Sequence, residues 1–198
     1  MRVFIAADHR GFELKNQLIE YVQEKDIRTD DLGNFEYDPQ DDYPEFAQKV
    51  AKAVLQNPTE HLGIVICGSG IGVSVAANRF PGIVCGVGFN TDQIRHARAN
   101  DHINVLSIPS DYIDEEKAKA LIDAFLDATP KTEDKYLRRL KQLDNIDTTA
   151  RPALDPFGDE ESDELTNPES ALPSQPEAQH IEESNPQAPF TEEPNTEE

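Results

Sequence analysis

The chain has 198 residues, with 39 Asp or Glu against 18 Lys or Arg and a formal net charge of −21. That length is ample for one core-bearing domain, and so negative a charge argues against nucleic-acid or anionic-membrane binding. Two cysteines, Cys67 and Cys85, make neither a disulfide framework nor a zinc knuckle and point to a cytoplasmic protein.

Residues 3–7 form a short apolar stretch read as a strand, ending in the polar turn Asp8-His9-Arg10-Gly11. The opening stretch is too short for a secretory signal core, and no apolar run approaches membrane length. Residues 12–25 follow a helical period, with Leu14, Leu18, Ile19 and Val22 on one stripe. A weaker strand over 27–32 leads into an acidic loop, 33–44. A helix over 45–56 carries Phe46, Val50 and Val54 at spacing four.

The stretch Leu62-Gly63-Ile64-Val65-Ile66-Cys67-Gly68-Ser69-Gly70-Ile71-Gly72 organises the chain. Ile64 to Ile66 read as a strand buried on both faces. Glycines at alternate positions let the backbone turn tightly and point successive N–H groups inward, before a helix over 73–79. The result is either a small anion cradle with a thiol at its lip or simply a tight strand-to-helix turn holding a buried cysteine. The spacing is neither the Walker pattern nor the dinucleotide G-x-G-x-x-G.

A buried strand over 83–88 follows, then a polar helix over 91–100 carrying Arg95, His96 and Arg98. A fifth strand spans 104–108. Asp114 caps a helix reaching to about 128, and a last helix over 132–145 is read as burying Tyr136, Leu137, Leu140 and Leu143. Residues 148–198 differ in kind: fourteen acids, one Arg and eight of the fourteen prolines, with no apolar period. Such a segment buries too little apolar surface to offset its ordering entropy. The chain therefore divides into a folded domain, 1–147, and a disordered acidic tail, 148–198.

Five strands alternating with helices predict an α/β fold: a three-layer, Rossmann-like open parallel sheet with helices on both faces. In such sheets ligands bind outside the carboxyl ends of the strands, where the strand order switches. Asp8-His9 and Cys67 both end strands, so they are expected to be neighbours.

Several motifs occur in order: Ala7-Asp8-His9-Arg10-Gly11-Phe12, Asp42-Tyr43-Pro44, Cys67-Gly68-Ser69-Gly70-Ile71-Gly72 with Ala76-Ala77-Asn78-Arg79, and Asn100-Asp101 with Asn104-Val105-Leu106. Over residues 1–143 the chain resembles the type B ribose-5-phosphate isomerase family, which includes the galactose-6-phosphate isomerase subunits. The resemblance implies an aldose–ketose isomerase working through an enediolate, without metal or cofactor, as a homodimer or dimer of dimers.

By the same resemblance Cys67 is the base that moves the proton between C2 and C1. Ser69 stands where the family has a threonine, as a proton relay. The backbone of Gly68, Gly70, Ile71 and Gly72 holds the enediolate oxygen. Asp8 and His9 contact the sugar and help open its ring or hold its phosphate, and Tyr43 lies on the pocket wall. Asn100 is supplied across the dimer interface, and Lys135 and Arg139 reach the phosphate.

Three departures stand out. Ala99 replaces a histidine that opens the furanose ring. Asp111 replaces an arginine that reaches the phosphate, and Lys135 replaces an arginine. They leave open a different substrate, such as a hexose phosphate or an unphosphorylated aldose, and a non-catalytic protein on the same scaffold.

Overall fold

The computed structural model describes residues 1–146. The tail expected to be disordered from residue 148 onward lies outside the described residues. In chain order the elements are β1 (Arg2–Ala7), α1 (Phe12–Gln23), β2 (Arg28–Asp31), α2 (Tyr43–Leu55), β3 (His61–Cys67), α3 (Ile71–Ala77), β4 (Cys85–Val87), α4 (Thr91–His96), β5 (Val105–Pro109), α5 (Glu115–Asp127) and α6 (Asp134–Asp144). All strand pairings are parallel, in the order β2-β1-β3-β5-β4. The expected open parallel sheet is therefore present.

Strand periodicity distributes the core. Alternate residues point to opposite faces, so Val3, Ile5, Ile64 and Ile66 meet Leu18 and Val22 of α1 and Leu121, Ile122 and Phe125 of α5. Phe4, Ala6, Val65 and Cys67 point the other way, into Phe46, Val50 and Val54 of α2 and Val73 and Ala77 of α3. The spacing-four residues read from the sequence of α2 are thus its buried face. Asp114 caps α5 as expected, accepting from the Lys117 N–H at 2.8 Å.

Three elements differ from the sequence reading, each for a local reason. β4 is shorter because side-chain amides take the backbone groups before it. Asn104 Oδ1 accepts from the Val84 N–H, and Asn78 bonds both the N–H and the carbonyl of Cys85. The helix expected over 91–100 stays α-helical only to His96 and then widens into a π-turn, Ala97–Asp101. A π-turn fits one extra residue into the turn; here Asn100 is buried and His102 closes the turn with φ +55°. Helix α6 buries only Tyr136, and Leu143 and Ile146 are 51% and 60% exposed. Its apolar stripe has the right period, yet within one chain the helix packs beside the Ala97–Asp101 turn, which covers part of one face.

Candidate active site

The sheet changes direction between β1 and β3: β2 lies on one side of β1, and the rest of the chain builds on the other. The two strand ends meet there as expected, the Asp8 N–H donating to the Ile66 carbonyl at 3.2 Å.

The glycine turn after β3 is shaped from behind by β5. Ser107 Oγ donates to the Gly70 carbonyl at 2.6 Å, and the Ser110 and Asp111 N–H groups donate to the Cys67 and Gly68 carbonyls, both at 3.0 Å. Gly70 has φ +72°, a left-handed conformation that a side chain disfavours. With the carbonyls held behind, the N–H groups of Gly68, Ser69 and Gly70 have no protein acceptor among the described residues. The Ile71 N–H is different, since it donates to Ser69 Oγ at 3.2 Å. Cys67 is buried at the lip of these free donors. The Tyr43 ring lies over Gly72, where a built Cβ would come within 2.9 Å of it.

Around β1 a chain of polar contacts fixes His9. Lys15 is fully buried on α1, and its Nζ donates to Asp31 Oδ2 at 2.5 Å. The other Asp31 oxygen accepts from the Gly33 N–H, and the Gly33-Asn34 loop then bonds both backbone groups of Ala7. Asn34 Nδ2 donates to Asp41 Oδ2 at 2.9 Å, and Asp41 Oδ1 lies 2.7 Å from His9 Nδ1. The carboxylate fixes the imidazole orientation and leaves Nε2 without a protein partner among the described residues, an arrangement suited to proton transfer or to hydrogen-bonding a hydroxyl. Asp8 holds the turn: its Oδ1 accepts from the N–H groups of Arg10 and Gly11. Burial raises its pKa above the usual carboxylate value, against the lowering pull of those two N–H groups.

Asn100 is 8% exposed, and its Oδ1 has no hydrogen-bond partner. A buried carbonyl oxygen without a donor is costly, and the π-turn is what turns Asn100 inward. Lys135 sits over the Tyr136 ring at 4.7 Å and Arg139 is exposed. The Lys135 ammonium beside the Tyr136 hydroxyl holds that phenol below its usual pKa, and Arg139 makes no hydrogen bond or ion pair among the described residues. One chain therefore brings together Asp8, His9, Tyr43, Cys67 and the glycine turn, while Lys135 and Arg139 stay on α6.

One relationship was absent from the sequence reading. Asp111, which looked like the plain loss of a cation, is paired with Arg10: Oδ2 to Nη2 at 2.5 Å and Oδ1 to Nε at 3.3 Å. The two residues are 101 positions apart, and no spacing rule links them.

Residues 3–143 match the family described as Ribose/Galactose Isomerase. The chain is 39% identical over 126 residues to the probable ribose-5-phosphate isomerase B of Mycoplasma pneumoniae, covering 64% of this chain and 82% of that one. It is 34% identical over 149 residues to the ribose-5-phosphate isomerase B of Mycolicibacterium paratuberculosis, covering 75% and 93%. The crystal structure of ribose-5-phosphate isomerase B from Mycoplasma genitalium with bound ribulose-5-phosphate superposes with a TM-score of 0.70 at 35% identity, covering 72% of this chain and 93% of that one. The Thermotoga maritima ribose 5-phosphate isomerase gives 0.69 at 36%, covering 73% and 98%. A match of this extent, on a sheet whose glycine turn stands where the motif demands, makes the chain a member of the Ribose/Galactose Isomerase family.

Proposed function

We propose that this protein interconverts ribose 5-phosphate and ribulose 5-phosphate through an enediolate. The observation that carries the reading is the buried Cys67 beside three N–H groups, of Gly68, Ser69 and Gly70, that have no protein acceptor. Such donors, fixed in advance, stabilise the oxyanion that forms when the C2 proton leaves. Cys67 takes that proton as a thiolate and returns it to C1. Ser69, whose Oγ accepts from Ile71 and keeps its own proton free to donate, passes the hydroxyl proton from O2 to O1.

Asp8, His9 and Tyr43 contact the sugar, His9 with its ring held by Asp41. Asn100, Lys135 and Arg139 complete the site of a second copy in a homodimer. The unpaired Asn100 oxygen and the exposed stripe of α6 support that arrangement. The active protein works in cytoplasmic pentose phosphate metabolism as an isomerase domain, 1–147, with a dispensable tail, 148–198.

Two features, Ala99 and Asp111, favour testing other sugars beside ribose. A coupled isomerisation assay over ribose 5-phosphate, allose 6-phosphate, galactose 6-phosphate and free ribose decides between them. Ribose 5-phosphate is expected to give the highest kcat/KM; a hexose phosphate preferred by tenfold, or no turnover of any sugar, overturns the proposal. Removing residues after Asp147 should leave turnover within twofold.

A further inference from the structure

We infer that Arg10 binds the phosphate of the substrate and that Asp111 positions it, an assignment that rests on the sugar-phosphate reading above. Arg10 follows β1 and Asp111 follows β5, with β3 between those strands. Their ion pair therefore bridges the end of β3 at Gly68. A Cβ built on Gly68 would lie 2.6 Å from Asp111 Oδ2 and 3.3 Å from Arg10 Nε. Gly68 is the residue next to Cys67, so the fold lays a guanidinium against the turn where the chemistry is placed.

The geometry of the pair leaves a binding edge open. A guanidinium offers five N–H groups in a planar fork. Asp111 uses the edge formed by Nε and Nη2. The opposite edge, Nη1 with the second Nη2 hydrogen, has no protein acceptor among the described residues, and the side chain is 55% exposed. That edge matches two phosphate oxygens.

The backbone of Arg10 is held as well. Its N–H donates to Asp8 Oδ1 at 2.9 Å, and its carbonyl accepts from Ser110 Oγ at 3.0 Å. A freely solvated surface arginine has no such anchoring. Lys15, on the first turn of α1 at this end of the sheet, is committed elsewhere, buried on Asp31. Asp111, whose two oxygens are both taken up by Arg10, thus acts through the arginine it aims rather than by touching the phosphate.

The test uses the full chain and two readouts: steady-state isomerisation of ribose 5-phosphate, and calorimetric binding of inorganic phosphate. Arg10→Ala should raise KM and weaken phosphate binding by about tenfold or more, with kcat changed by less than threefold. Arg10→Lys, a point charge without the second fork, should recover part of the loss, and Arg10→Gln serves if the alanine variant melts early. Asp111→Ala should raise KM, whereas Asp111→Asn, which keeps an acceptor for the Nε–H, should restore it. Unchanged KM and phosphate affinity in folded Arg10→Ala overturn the assignment. If the parent protein does not isomerise ribose 5-phosphate, the functional reading fails, and the phosphate titration still decides the role of Arg10.

Discussion

Asp41 grips His9 twice with one oxygen: Oδ1 accepts from the His9 backbone N–H at 3.1 Å and lies 2.7 Å from its ring Nδ1. Asp41→Ala should therefore free the ring without touching the sheet. kcat/KM for ribose 5-phosphate is expected to fall by about tenfold, the size of losing one well-placed hydrogen bond to a charged group. Asp41→Asn, whose carbonyl still accepts from both groups, should fall less. Equal losses in the two variants, or none, would remove Asp41 from the site.

Cys67 carries the most demanding prediction. Loss of a general base typically costs about 10²–10⁴-fold or more. Cys67→Ala and Cys67→Ser should both lose at least that much kcat while still binding the sugar phosphate. Exchange of the C2 hydrogen with deuterated water should stop in parallel. Continued exchange in Cys67→Ala would assign the proton transfer to another group.

Asp8 separates stability from activity. Burial raises its pKa in the fold, so its favourable contribution is full below the unfolded value of about 3.8 and is lost as pH rises through the raised one. Burial makes the charged form of this carboxylate a cost to the fold. Asp8→Asn keeps an oxygen for the Arg10 and Gly11 N–H groups and removes the charge. Its Tm at pH 7 should match or exceed that of the parent, while turnover falls. A lower Tm at pH 7 would show that the charge itself holds the turn.

Cys85 makes a prediction at alkaline pH. Burial pushes its thiol from about 9.0 up to about 12, against the lowering effect of the Ser74 hydroxyl. The folded chain keeps the proton where the unfolded chain loses it, so stability is full below pH 9 and falls as pH rises toward 12. At pH 10.5 the loss is about 2 kcal/mol. Cys85→Ala should be less stable at pH 7.5, from the cavity, yet lose about that much less between pH 7.5 and 10.5 in urea melts. Parallel pH profiles for the two proteins would refute it.

The exposed stripe of α6 bears on assembly. Replacing Leu143 and Ile146 together with Ser should cost little in a monomer, because both are more than half exposed. In a homodimer built through this helix the change should shift the light-scattering mass to that of one chain at micromolar concentration and lower turnover. An unaltered dimer would move the interface elsewhere on the surface.

What the sequence revealed follows from which forces are local. The unbroken apolar run Ile64-Val65-Ile66 and the spacing of Phe46, Val50 and Val54 carry their own period, so strand, helix and buried face could be read directly. The glycine turn announced itself for the same reason. The Arg10–Asp111 pair did not, because its partners meet only when β1 and β5 flank β3. The π-turn at Ala97–Asp101 was equally hidden: Arg95, His96 and Arg98 look like an ordinary polar helix, and only the packed structure shows Asn100 turned inward. In α6 the period was right and the burial wrong, since a stripe of leucines does not say what covers it.

The contacts that brace the glycine turn also set an order of events during synthesis. Residues 67–70 leave the ribosome well before Ser107, Ser110 and Asp111, whose groups hold the carbonyls of Gly70, Cys67 and Gly68. Until β5 inserts between β3 and β4, the turn has nothing behind it, and its left-handed Gly70 is one choice among many. A nascent chain stalled before residue 107 should therefore contain β1 and β3 and still present the thiol in an unshaped loop. Because β5 separates two strands that precede it in the sequence, the shape of this turn is among the last things the chain acquires, on the slow, non-local side of its folding.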